Sequence, residues 1–410
     1  MQIVVIGAGI VGVSTAIWLK RSGHEVTLID RAAPGQGTSY GNAGLLASSS
    51  VAPVTSPGLI GKIPGMLFNP EFPLFMRWAH LPRLMPWLMR YLSHANEADT
   101  RRIARNLAHI VTDTIEQHKA LAGGTPAEKW IHDCDYKFAY KSRAAFEAEA
   151  FTWALRREAG FEPEIIEGEA IRELDPALGP SIQCIAMMKN HGFISDPGNY
   201  VADLAKVFEN EGGRVVLASV EDFDLTDGRI TAVLSTAGRF ECDHAVLTTG
   251  VWSKPLMKKL GLNVPLETER GYHIVFRNPS VKPRTPTMIA AGKFVATPMA
   301  AGLRCAGVLE FGGLDDDKSD APLKLLRKKV MEAFPTLTAS EEDTWLGHRP
   351  APSDSLPLIG EVRKTGIYTA FGHHHIGLTG GPKSGRMIAR MISGEPGNVD
   401  PAPFDPNRFS

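Results

Sequence analysis

The stretch MQIVVIGAGIVGVSTAIWLKRSGHEVTLIDR (Met1–Arg31) decides the fold of this chain. Its first part, Gln2–Ile6, is a short apolar and β-branched run, which is typical of a buried parallel strand. A glycine-rich turn separates it from a helical stretch over Ser14–Ser22, and Glu25–Ile29 is a second β-branched run. The order strand, turn, helix, strand predicts a βαβ unit with two parallel strands.

Three glycines at the spacing GxGxxG follow the first strand, and an acid ends the second. Gly7 permits a tight turn, Gly9 lets the backbone approach a pyrophosphate, and Gly12 lets the helix pack closely on the strand. The helix N-terminus offers unpaired N–H groups to phosphates. Asp30 can accept hydrogen bonds from both ribose hydroxyls, and an acid at this place disfavours a 2′-phosphate. The stretch therefore predicts a dinucleotide-binding site.

Length and composition set further limits. At roughly 150 residues per domain, 410 residues predict two or three domains. A formal net charge of −1 leaves no electrostatic footprint for nucleic acid. The four cysteines lie far apart and form no CxxC pair, which favours a reducing compartment and no zinc module. We find no signal-peptide pattern and no apolar run of transmembrane length, so the expected location is the cytoplasm.

The segment Pro34–Ser50 (PGQGTSYGNAGLLASSS) holds too many turn formers to be a helix or a strand. One interpretation is a flexible linker. The favoured interpretation is a loop that wraps the cofactor with backbone N–H groups and with the side chains of Thr38, Ser39 and Asn42, since phosphate and flavin binding needs close backbone approach.

The segment Pro53–Leu92 is rich in Met, Phe, Trp and Leu and is interrupted by prolines, with scattered Lys and Arg. The prolines exclude one long helix, so this segment cannot span a bilayer. Two interpretations stay open. It forms a lid and core over a pocket, or it forms an apolar, basic-fringed surface that contacts a membrane or a lipid-soluble quinone.

Later segments return to alternating strands and helices. His244–Thr248 reads as a buried strand that ends at Thr249-Gly250, a turn that could pass beneath the nucleotide. Towards the end, Gly380 and Gly381 are expected to lead into a helix that starts near Lys383. No second GxGxxG occurs, and one nucleotide site beside a large remainder fits a bound flavin better than a shuttling NAD.

Five segments in this order resemble a known family: GAGIVG with Asp30, GTSYGNAG, RGYH, WLGHRPAPSDSLPLIG and GHHHIGLTGGP. The chain resembles the FAD-dependent amine and D-amino-acid oxidoreductases, most closely the bacterial D-amino acid dehydrogenases. The resemblance implies an α/β fold in which a Rossmann-like FAD-binding domain (1–50, 142–252 and 345–400) is interleaved with a substrate domain (51–141 and 253–344). The substrate domain is expected to be α+β, built on an antiparallel sheet.

The same resemblance implies where FAD lies. The helix N-terminus at Pro382-Lys383 is expected to stabilise the anionic reduced flavin. Because no cysteine follows Trp345, the FAD is expected to be non-covalent. The expected FAD-binding residues are Gly7, Gly9, Ile10, Val11, Gly12, Asp30, Arg31, Thr38, Ser39, Asn42, Ala43, Gly44, Leu45, Val220, Thr249, Gly250, His374, His375, Ile376, Gly377, Leu378 and Thr379.

Three residues are candidates for substrate chemistry. Arg349 matches the family position that binds the carboxylate of the amino acid, and its guanidinium suits bidentate binding. Tyr272 could place its hydroxyl on the same carboxylate or be a core tyrosine. His348 could lie over the flavin and steer the amine or be a buried, hydrogen-bonded histidine. Arg270 is expected to be structural.

Three consecutive histidines, His373, His374 and His375, invite a metal interpretation. Adjacent histidines in a glycine-flanked turn point in different directions, and no Asp, Glu or Cys stands near them at ligand spacing. The sequence therefore predicts no metal site.

The activity implied by the resemblance is oxidative deamination of D-amino acids by hydride transfer to flavin N5, with a quinone or another carrier as electron acceptor. The apolar stretch Phe68–Tyr91 suggests a pocket roof, and D-proline-like or bulky apolar D-amino acids as substrates. Two alternatives stay open: an oxygen-using amine oxidase of the glycine or sarcosine type, and a non-catalytic FAD-bearing subunit of an electron-transfer complex.

Overall fold

The computed structural model describes residues 1–61, 65, 69 and 71–410. The strands of this part are β1 (Gln2–Ile6), β2 (Glu25–Asp30), β3 (Leu45–Leu46), β4 (Leu74–Met76), β5 (Ile131–Tyr140), β6 (Glu164–Glu167), β7 (Cys184–Ile194), β8 (Arg214–Leu217), β9 (Val220–Thr226), β10 (Arg229–Ser235), β11 (Gly238–Glu241), β12 (His244–Leu247), β13 (Leu266–Arg277), β14 (Thr287–Ile289), β15 (Phe294–Met299), β16 (Gly302–Phe311), β17 (Glu341–Pro352), β18 (Leu358–Glu361) and β19 (Ile367–Phe371). The α-helices of this part are α1 (Ile10–Arg21), α2 (Leu81–Ser93), α3 (Glu97–Val111), α4 (Thr114–Ala122), α5 (Arg143–Glu147), α6 (Ala150–Glu158), α7 (Ala170–Leu174), α8 (Pro197–Asn210), α9 (Ser253–Lys259), α10 (Asp320–Ala333) and α11 (Gly377–Ser393).

The first sheet has the strand order β18-β19-β12-β1-β2-β8. Strand β1 pairs in parallel with β2 on one side and with β12 on the other, and only the edge strand β18 is antiparallel. Helices α1, α8 and α11 cover one face, and β9, β10 and α9 pack on the other. The chain therefore changes direction across the sheet beside β1, which is where open α/β sheets bind ligands.

The second sheet is mainly antiparallel, in the order β17-β13-β16-β15-β14-β5-β7-β3, with β4 on β16 and β6 on β7. The two faces of β13 separate two environments. Ile274 and Phe276 pack in the cluster under α10. On the opposite face, His273 contacts the carbonyl of Gly41 in the loop between β2 and β3. The second sheet thus has one face against a helix and one towards the first sheet.

The domain boundaries differ from those expected from the sequence. The expected FAD-binding segment 142–252 contains β6 and β7, yet β7 pairs with β5 on one side and with β6 in the second sheet. Strand β17 was also assigned to the FAD-binding domain, and it pairs along its length with β13 of the second sheet. Partners this distant in sequence are set by sheet pairing, which no local pattern reveals.

The start of α11 also differs from expectation, since the helix begins at Gly377 and not near Lys383. Its glycines are contact residues rather than turn residues. A Cβ on Gly380 would lie 2.5 Å from Ile110 Cγ2, and one on Gly385 would lie 2.7 Å from the backbone nitrogen of Thr15. Close helix packing therefore explains glycines that the sequence suggested as a helix boundary.

A proline inside α11 leaves one carbonyl without its usual helical donor. Pro382 has no N–H, so the carbonyl of Leu378 loses its partner four residues on. His118 Nε2 lies 2.9 Å from that carbonyl and donates to it, and His118 Nδ1 accepts from the Tyr200 hydroxyl at 2.8 Å. A buried histidine on α4 therefore allows α11 to continue through the proline.

Helices α3 and α4 follow each other closely and are separated at Thr112 and Asp113. The segment Pro53–Leu92 contains β4 and α2 in its described part. Several residues of that segment that the sequence singled out, including Phe68 and Lys62, lie outside the described residues. None of the helices that the structure describes has the length and apolar character of a membrane span.

Four buried histidines make stability sensitive to acid. Burial lowers the pKa of His118 and His191 to about 4, and that of His273 and His373 to about 3. In the unfolded chain a histidine has a pKa of about 6.5, so the unfolded state binds these protons first. We expect the free energy of unfolding to fall as the pH drops from about 6.5 to about 4, by on the order of 2 kcal/mol per histidine at pH 5.

Urea unfolding followed by tryptophan fluorescence at several pH values measures this effect. In His118→Gln, the slope of the free energy of unfolding against pH is expected to decrease by the equivalent of about one bound proton. The matched control is His109→Gln, because His109 lies exposed on α3 and should leave the slope unchanged. Equal slopes for wild type and His118→Gln would contradict the assignment.

Candidate active site

A cavity of about 1020 Å³ lies between the two sheets. It is lined by the turn after β1, the loop between β2 and β3, strands β13 and β17, and the segment that leads into α11. The volume is at the upper end of the range for ligand sites, as an extended dinucleotide requires.

The glycine turn after β1 has the geometry that its spacing predicted. Gly7 has a φ of +106°, and a Cβ there would lie 2.9 Å from the backbone of Thr248. A Cβ on Gly12 would lie 1.7 Å from the Gly7 carbonyl oxygen. Gly9 differs, because a Cβ there would meet only Ser39 Oγ, at 3.3 Å. Gly7 and Gly12 are thus needed by the fold, while Gly9 borders open space in the cavity.

Asp30 and Arg31 lie at the end of β2 and line the same cavity. Asp30 Oδ2 accepts from the N–H of Ala8 at 2.6 Å, and Oδ1 accepts from the N–H of Ala32 at 3.0 Å. A carboxylate has further acceptor positions, so Asp30 can hold the turn and still accept from a ribose. The Arg31 guanidinium lies 4.4 Å from the ring centre of Trp252.

The loop between β2 and β3 is ordered by its own contacts and by the second sheet. Ser39 Oγ accepts from the N–H of Ile10 at 3.0 Å, and Thr38 Oγ1 donates to the His348 carbonyl at 2.9 Å. Asn42 Oδ1 accepts from the N–H of Gly44 at 2.9 Å. These contacts favour the cofactor loop over the flexible linker.

Arg304 of β16 is a structural residue of this loop that sequence reasoning missed. Its Nη1 donates to the carbonyls of Tyr40 and Asn42, at 2.9 and 2.7 Å. Burial lowers the pKa of Arg304 to about 10. Thr297 of β15 adds a hydrogen bond to the Ala43 carbonyl at 2.7 Å. Nothing near Arg304 in the sequence signals a partner 262 residues away.

The remaining expected cofactor residues border the same cavity at three places. The N-terminus of α1 contributes Ile10 and Val11. The segments after β8 and β12 contribute Val220, Thr249 and Gly250. The others in contact with the cavity are Ala43, Leu45, His374, His375, Ile376, Gly377, Leu378 and Thr379. Gly44 does not line it, and its φ of +76° instead shapes the loop.

The helix that borders the cavity at its far end begins at Gly377. The expectation of a helix N-terminus at Pro382-Lys383 is therefore wrong, and the unpaired N–H groups of the first turn belong to Gly377 and its neighbours. Thr379 Oγ1 donates to the Leu45 carbonyl at 3.2 Å, which joins this first turn to β3.

The three consecutive histidines have different surroundings. His373 Nε2 contacts Ser384 Oγ at 2.8 Å, and His374, with a φ of +48°, places Nε2 3.3 Å from the Pro352 carbonyl. His375 is exposed towards the cavity. Burial, then the charges of His374 and Arg349, lowers the pKa of His375 to about 4. Within the described residues, no three His, Cys, Asp or Glu side chains are grouped as metal ligands.

Arg349 is the most distinctive group of the cavity. Its guanidinium lies over Gly271 of the neighbouring strand, where a Cβ would come within 2.6 to 2.8 Å of Nη2, Cζ and Nε. Among the residues that the structure describes, no side chain or carbonyl accepts a hydrogen bond from Arg349, and no acid lies within ion-pair distance of it. Burial lowers the pKa of Arg349, while the charge of Glu269 opposes this. A half-buried guanidinium without a partner can bind a carboxylate bidentately.

Glu269 is a second residue that sequence reasoning missed. It pairs with Arg349 across β13 and β17 and is buried. Its Oε1 lies 3.5 Å from His374 Nδ1. Burial would raise the pKa of Glu269, but the charges of His374 and Arg349 outweigh it and hold the pKa below its ordinary value. The site therefore keeps an anion beside the guanidinium without a direct ion pair.

Tyr272 does not share a carboxylate with Arg349. Its hydroxyl donates to Glu310 Oε2 at 2.7 Å and accepts from the N–H of Ser319 at 3.2 Å, and Arg270 Nε also binds Glu310 at 2.7 Å. Residues 270 and 272 lie on the face of β13 under α10, opposite to Gly271 and Arg349, because side chains alternate along a strand. This corrects the expected role of Tyr272 and supports a structural Arg270.

His348 has partners on both ring nitrogens. Its Nδ1 lies 3.2 Å from Thr268 Oγ1, and its Nε2 lies 2.9 Å from Asp316 Oδ1. Although His348 also borders the cavity, this geometry favours the buried, hydrogen-bonded interpretation.

The apolar pocket roof expected from Phe68–Tyr91 is not formed by its described residues. Trp87 and Tyr91 of α2 pack with Phe311 and Ala351, and Trp87 Nε1 donates to the Ala351 carbonyl at 2.9 Å. No described residue between 71 and 91 borders the cavity. Trp87 and Tyr91 therefore pack beside the cavity without lining it, and the ring of Tyr91 lies 6.5 Å from that of His374.

Gly271 should control the position of Arg349. We expect Gly271→Ala to raise KM for the amino acid about tenfold, because the new methyl group displaces the guanidinium. Since the displaced atoms are the end of a flexible side chain, Tm and FAD content should stay near wild type. Steady-state kinetics and a flavin absorbance spectrum measure both. Gly397→Ala is the control, since a Cβ there makes only ordinary contacts, and an unchanged KM in Gly271→Ala would contradict this geometry.

The βαβ cradle and the large cavity beside it define a dinucleotide-binding protein. The residues fit FAD, because Gly9 and the start of α1 leave the phosphate position open. The chain belongs to the DAO family of FAD-dependent oxidoreductases, whose model matches residues 2–391. The family resemblance noted in the sequence is thus confirmed.

Individual relatives agree with the family assignment. The chain is 38% identical to a D-amino-acid oxidase of Bradyrhizobium diazoefficiens, with 100% of this chain and 99% of the relative covered. It is 27% identical to a D-amino acid dehydrogenase of Allorhizobium ampelinum, with 100% and 99% covered. The glycine oxidase of Geobacillus kaustophilus has the same fold, with a TM-score of 0.75 at 18% identity and coverage of 100% and 99%. The protein is an FAD-dependent amino-acid oxidoreductase.

Proposed function

We propose that this protein oxidises D-amino acids to imino acids, with Arg349 binding the substrate carboxylate. The observation that carries the proposal is the guanidinium of Arg349 over Gly271 in the cavity between the two sheets, which has no partner among the described residues. The D configuration is supported by the names of relatives that match the whole chain, a D-amino-acid oxidase and a D-amino acid dehydrogenase among them.

The contribution of the chain is binding and orientation. Arg349 offers two parallel N–H donors to the α-carboxylate, which fixes the amino acid in one orientation. His375 is neutral at physiological pH, because its pKa is lowered to about 4, so its unprotonated nitrogen can accept a hydrogen bond from the substrate amine. The two-electron oxidising chemistry would be supplied by FAD when it is bound in this cavity.

Residues at different places along the cavity are assigned to different parts of FAD. We assign the N–H groups of Gly9 and Val11 to the pyrophosphate and Asp30 to the ribose, since the N–H of Ile10 already donates to Ser39 Oγ. The first turn of α11, from Gly377, supplies the N–H groups for the pyrimidine edge of the flavin.

FAD is proposed to be non-covalent, because no cysteine is found among the described residues that line the cavity. Acid precipitation should therefore release all flavin into the supernatant. A yellow pellet after washing would contradict this proposal.

An anaerobic panel of D- and L-amino acids, scored by loss of the oxidised flavin absorbance, tests the activity. Bleaching by D-amino acids and not by their L-enantiomers is the expected result. D-Proline and bulky apolar D-amino acids belong in the panel, because the sequence suggested them. Absence of bleaching by every amino acid would favour a non-catalytic FAD-bearing subunit.

The electron acceptor has two candidates. We propose a quinone or another carrier, in line with the relatives named dehydrogenases. The 38% identical relative is named an oxidase, which favours oxygen as the second candidate. Reoxidation of the reduced enzyme by a quinone analogue and by oxygen, with hydrogen peroxide measured, distinguishes the two.

Helix α2 is proposed to make peripheral contact with the inner membrane. Met85 and Met89 are 40% and 68% exposed, and Arg83 and Arg90 are exposed on the same helix. Such a face suits an anionic lipid surface. In a flotation assay, the protein should float with vesicles that contain phosphatidylglycerol. The double variant Arg83→Glu, Arg90→Glu should not float with them. Equal flotation of both proteins would contradict the contact.

A further inference from the structure

A second arginine borders the cavity and forms no ion pair with any residue in the described part of the chain. Arg156 lies in the last turn of α6, and its guanidinium stacks on Phe138 of β5 and on Trp153, with ring centres 4.6 and 4.5 Å away. Two aromatic rings hold the planar group in one orientation. Arg156 is thus a rigid cation on the wall of the cavity.

The polar atoms of Arg156 are not satisfied within the described residues. Its Nε and Nη1 are buried and have no hydrogen-bond acceptor. The carboxylate of Glu149 is engaged elsewhere, because its Oε1 binds Lys293 Nζ at 2.8 Å and its Oε2 accepts from the Tyr140 hydroxyl at 2.8 Å. Burial lowers the pKa of Arg156, and the nearby Tyr140, Tyr136 and Glu149 oppose this shift without hydrogen-bonding to the guanidinium. An unpaired buried guanidinium is costly, so a bound anion is the partner that this site lacks.

Arg156 and Arg349 line the same cavity from different strands of the second sheet. The two edges of the second sheet meet at one segment, since His374 contacts Pro352 at the end of β17 and Thr379 binds Leu45 of β3. The sheet therefore curls around the cavity, with Arg349 on β17 and Arg156 over β5, which is paired through β7 to β3.

The anion at Arg156 is not the pyrophosphate of FAD. The phosphate cradle is the turn after β1 in the first sheet, whereas Arg156 rests on β5 of the second. Arg349 is already assigned to the α-carboxylate. A second anionic group of the substrate is the ligand that the two guanidinia can share.

We infer that Arg156 binds a second carboxylate of the substrate, so that the preferred substrates are D-amino acids with an acidic side chain. This inference rests on the proposed function of the same site. The sequence suggested substrates with an apolar side chain on the basis of Phe68–Tyr91. We infer an acidic side chain instead, because the described residues of that stretch do not border the cavity. A series of diacids of increasing length shows which substrate side chain is long enough to contact both Arg349 and Arg156.

The kinetic test compares D-aspartate, D-glutamate and D-2-aminoadipate with D-asparagine, D-glutamine and D-alanine. In the wild type, kcat/KM for the best diacid should exceed that for its amide at least tenfold. Arg156→Met should lower kcat/KM for that diacid about 100-fold, while kcat/KM for D-alanine stays within threefold. Arg156→Lys should restore part of the loss, since it keeps the charge and loses the planar group.

Arg157→Met is the matched control, because Arg157 is the next residue of α6, is exposed and binds Glu162 at 2.8 Å. It should leave all substrates unchanged. A wild type that does not prefer a diacid over its amide would overturn the inference, and so would an equal loss for D-alanine and the diacid in Arg156→Met.

A binding test keeps the inference separate from the proposed function. Succinate, glutarate and adipate, with acetate and propionate as monoacids, are added to the FAD-loaded enzyme, and the Tm and the visible flavin spectrum are recorded. A diacid should raise the Tm of wild type more than any monoacid, and Arg156→Met should abolish the difference. If diacids raise the Tm of the wild type no more than monoacids do, the diacid site is overturned. If no D-amino acid bleaches the flavin, the proposed activity alone is overturned.

Discussion

Arg349→Met is expected to raise KM for D-amino acids by about 10²- to 10³-fold, which corresponds to roughly 3–4 kcal/mol. The substitution removes both donors for the α-carboxylate and leaves that carboxylate in a largely buried site without a partner. Since orientation of the substrate depends on the same contact, kcat should fall as well. Anaerobic flavin reduction at a range of substrate concentrations separates the two effects.

Arg349→Lys and Arg105→Met complete this experiment. Lysine keeps the charge but not the planar pair of donors, so a partial recovery of KM is expected. Arg105 lies exposed on α3, and its replacement should not alter kinetics. The role of Arg349 is wrong if Arg349→Met keeps the KM and kcat of the wild type.

Gly12→Ala is expected to destabilise the protein by more than about 3 kcal/mol and to abolish FAD binding. The new Cβ would lie 1.7 Å from the Gly7 carbonyl oxygen, and this backbone atom cannot move without breaking the turn between β1 and α1. Urea unfolding and the ratio of flavin to protein absorbance measure the two losses.

Gly9→Ala provides the contrast. Its Cβ would meet only Ser39 Oγ at 3.3 Å, so the free energy of unfolding of the apoprotein should change little. The methyl group would still occupy the space through which a pyrophosphate approaches the backbone, so FAD affinity should fall sharply. If both alanine variants lost stability equally, or both kept FAD, the division of roles between these glycines would be refuted.

Local signals in the sequence were sufficient for the first part of the fold and of the site. Strand β1 begins and ends at the residues that the apolar run indicated, and the roles of Gly7 and Gly12 follow from their spacing. Such signals work because a tight turn and a close helix–strand contact involve residues that are neighbours in the chain.

Other features depend on which strands pair and in which register. Glu269 lies beside Arg349 only because β13 and β17 pair at those residues. A shift of one residue would turn each side chain to the other face, and the sequence carries no local mark of the register. This is why Tyr272, one residue from Gly271, proved to face α10 and bind Glu310.

By itself, the sequence determined that the chain begins with a dinucleotide-binding βαβ unit and, through its ordered motifs, that it belongs with the FAD-dependent amino-acid oxidoreductases. Only the tertiary structure decided which arginines face the cavity without a partner, and which, like Arg304, are engaged in holding the cofactor loop. The physical reason is that a backbone turn is encoded by adjacent residues. The pairing of a buried charge depends instead on groups that folding brings together from distant parts of the chain.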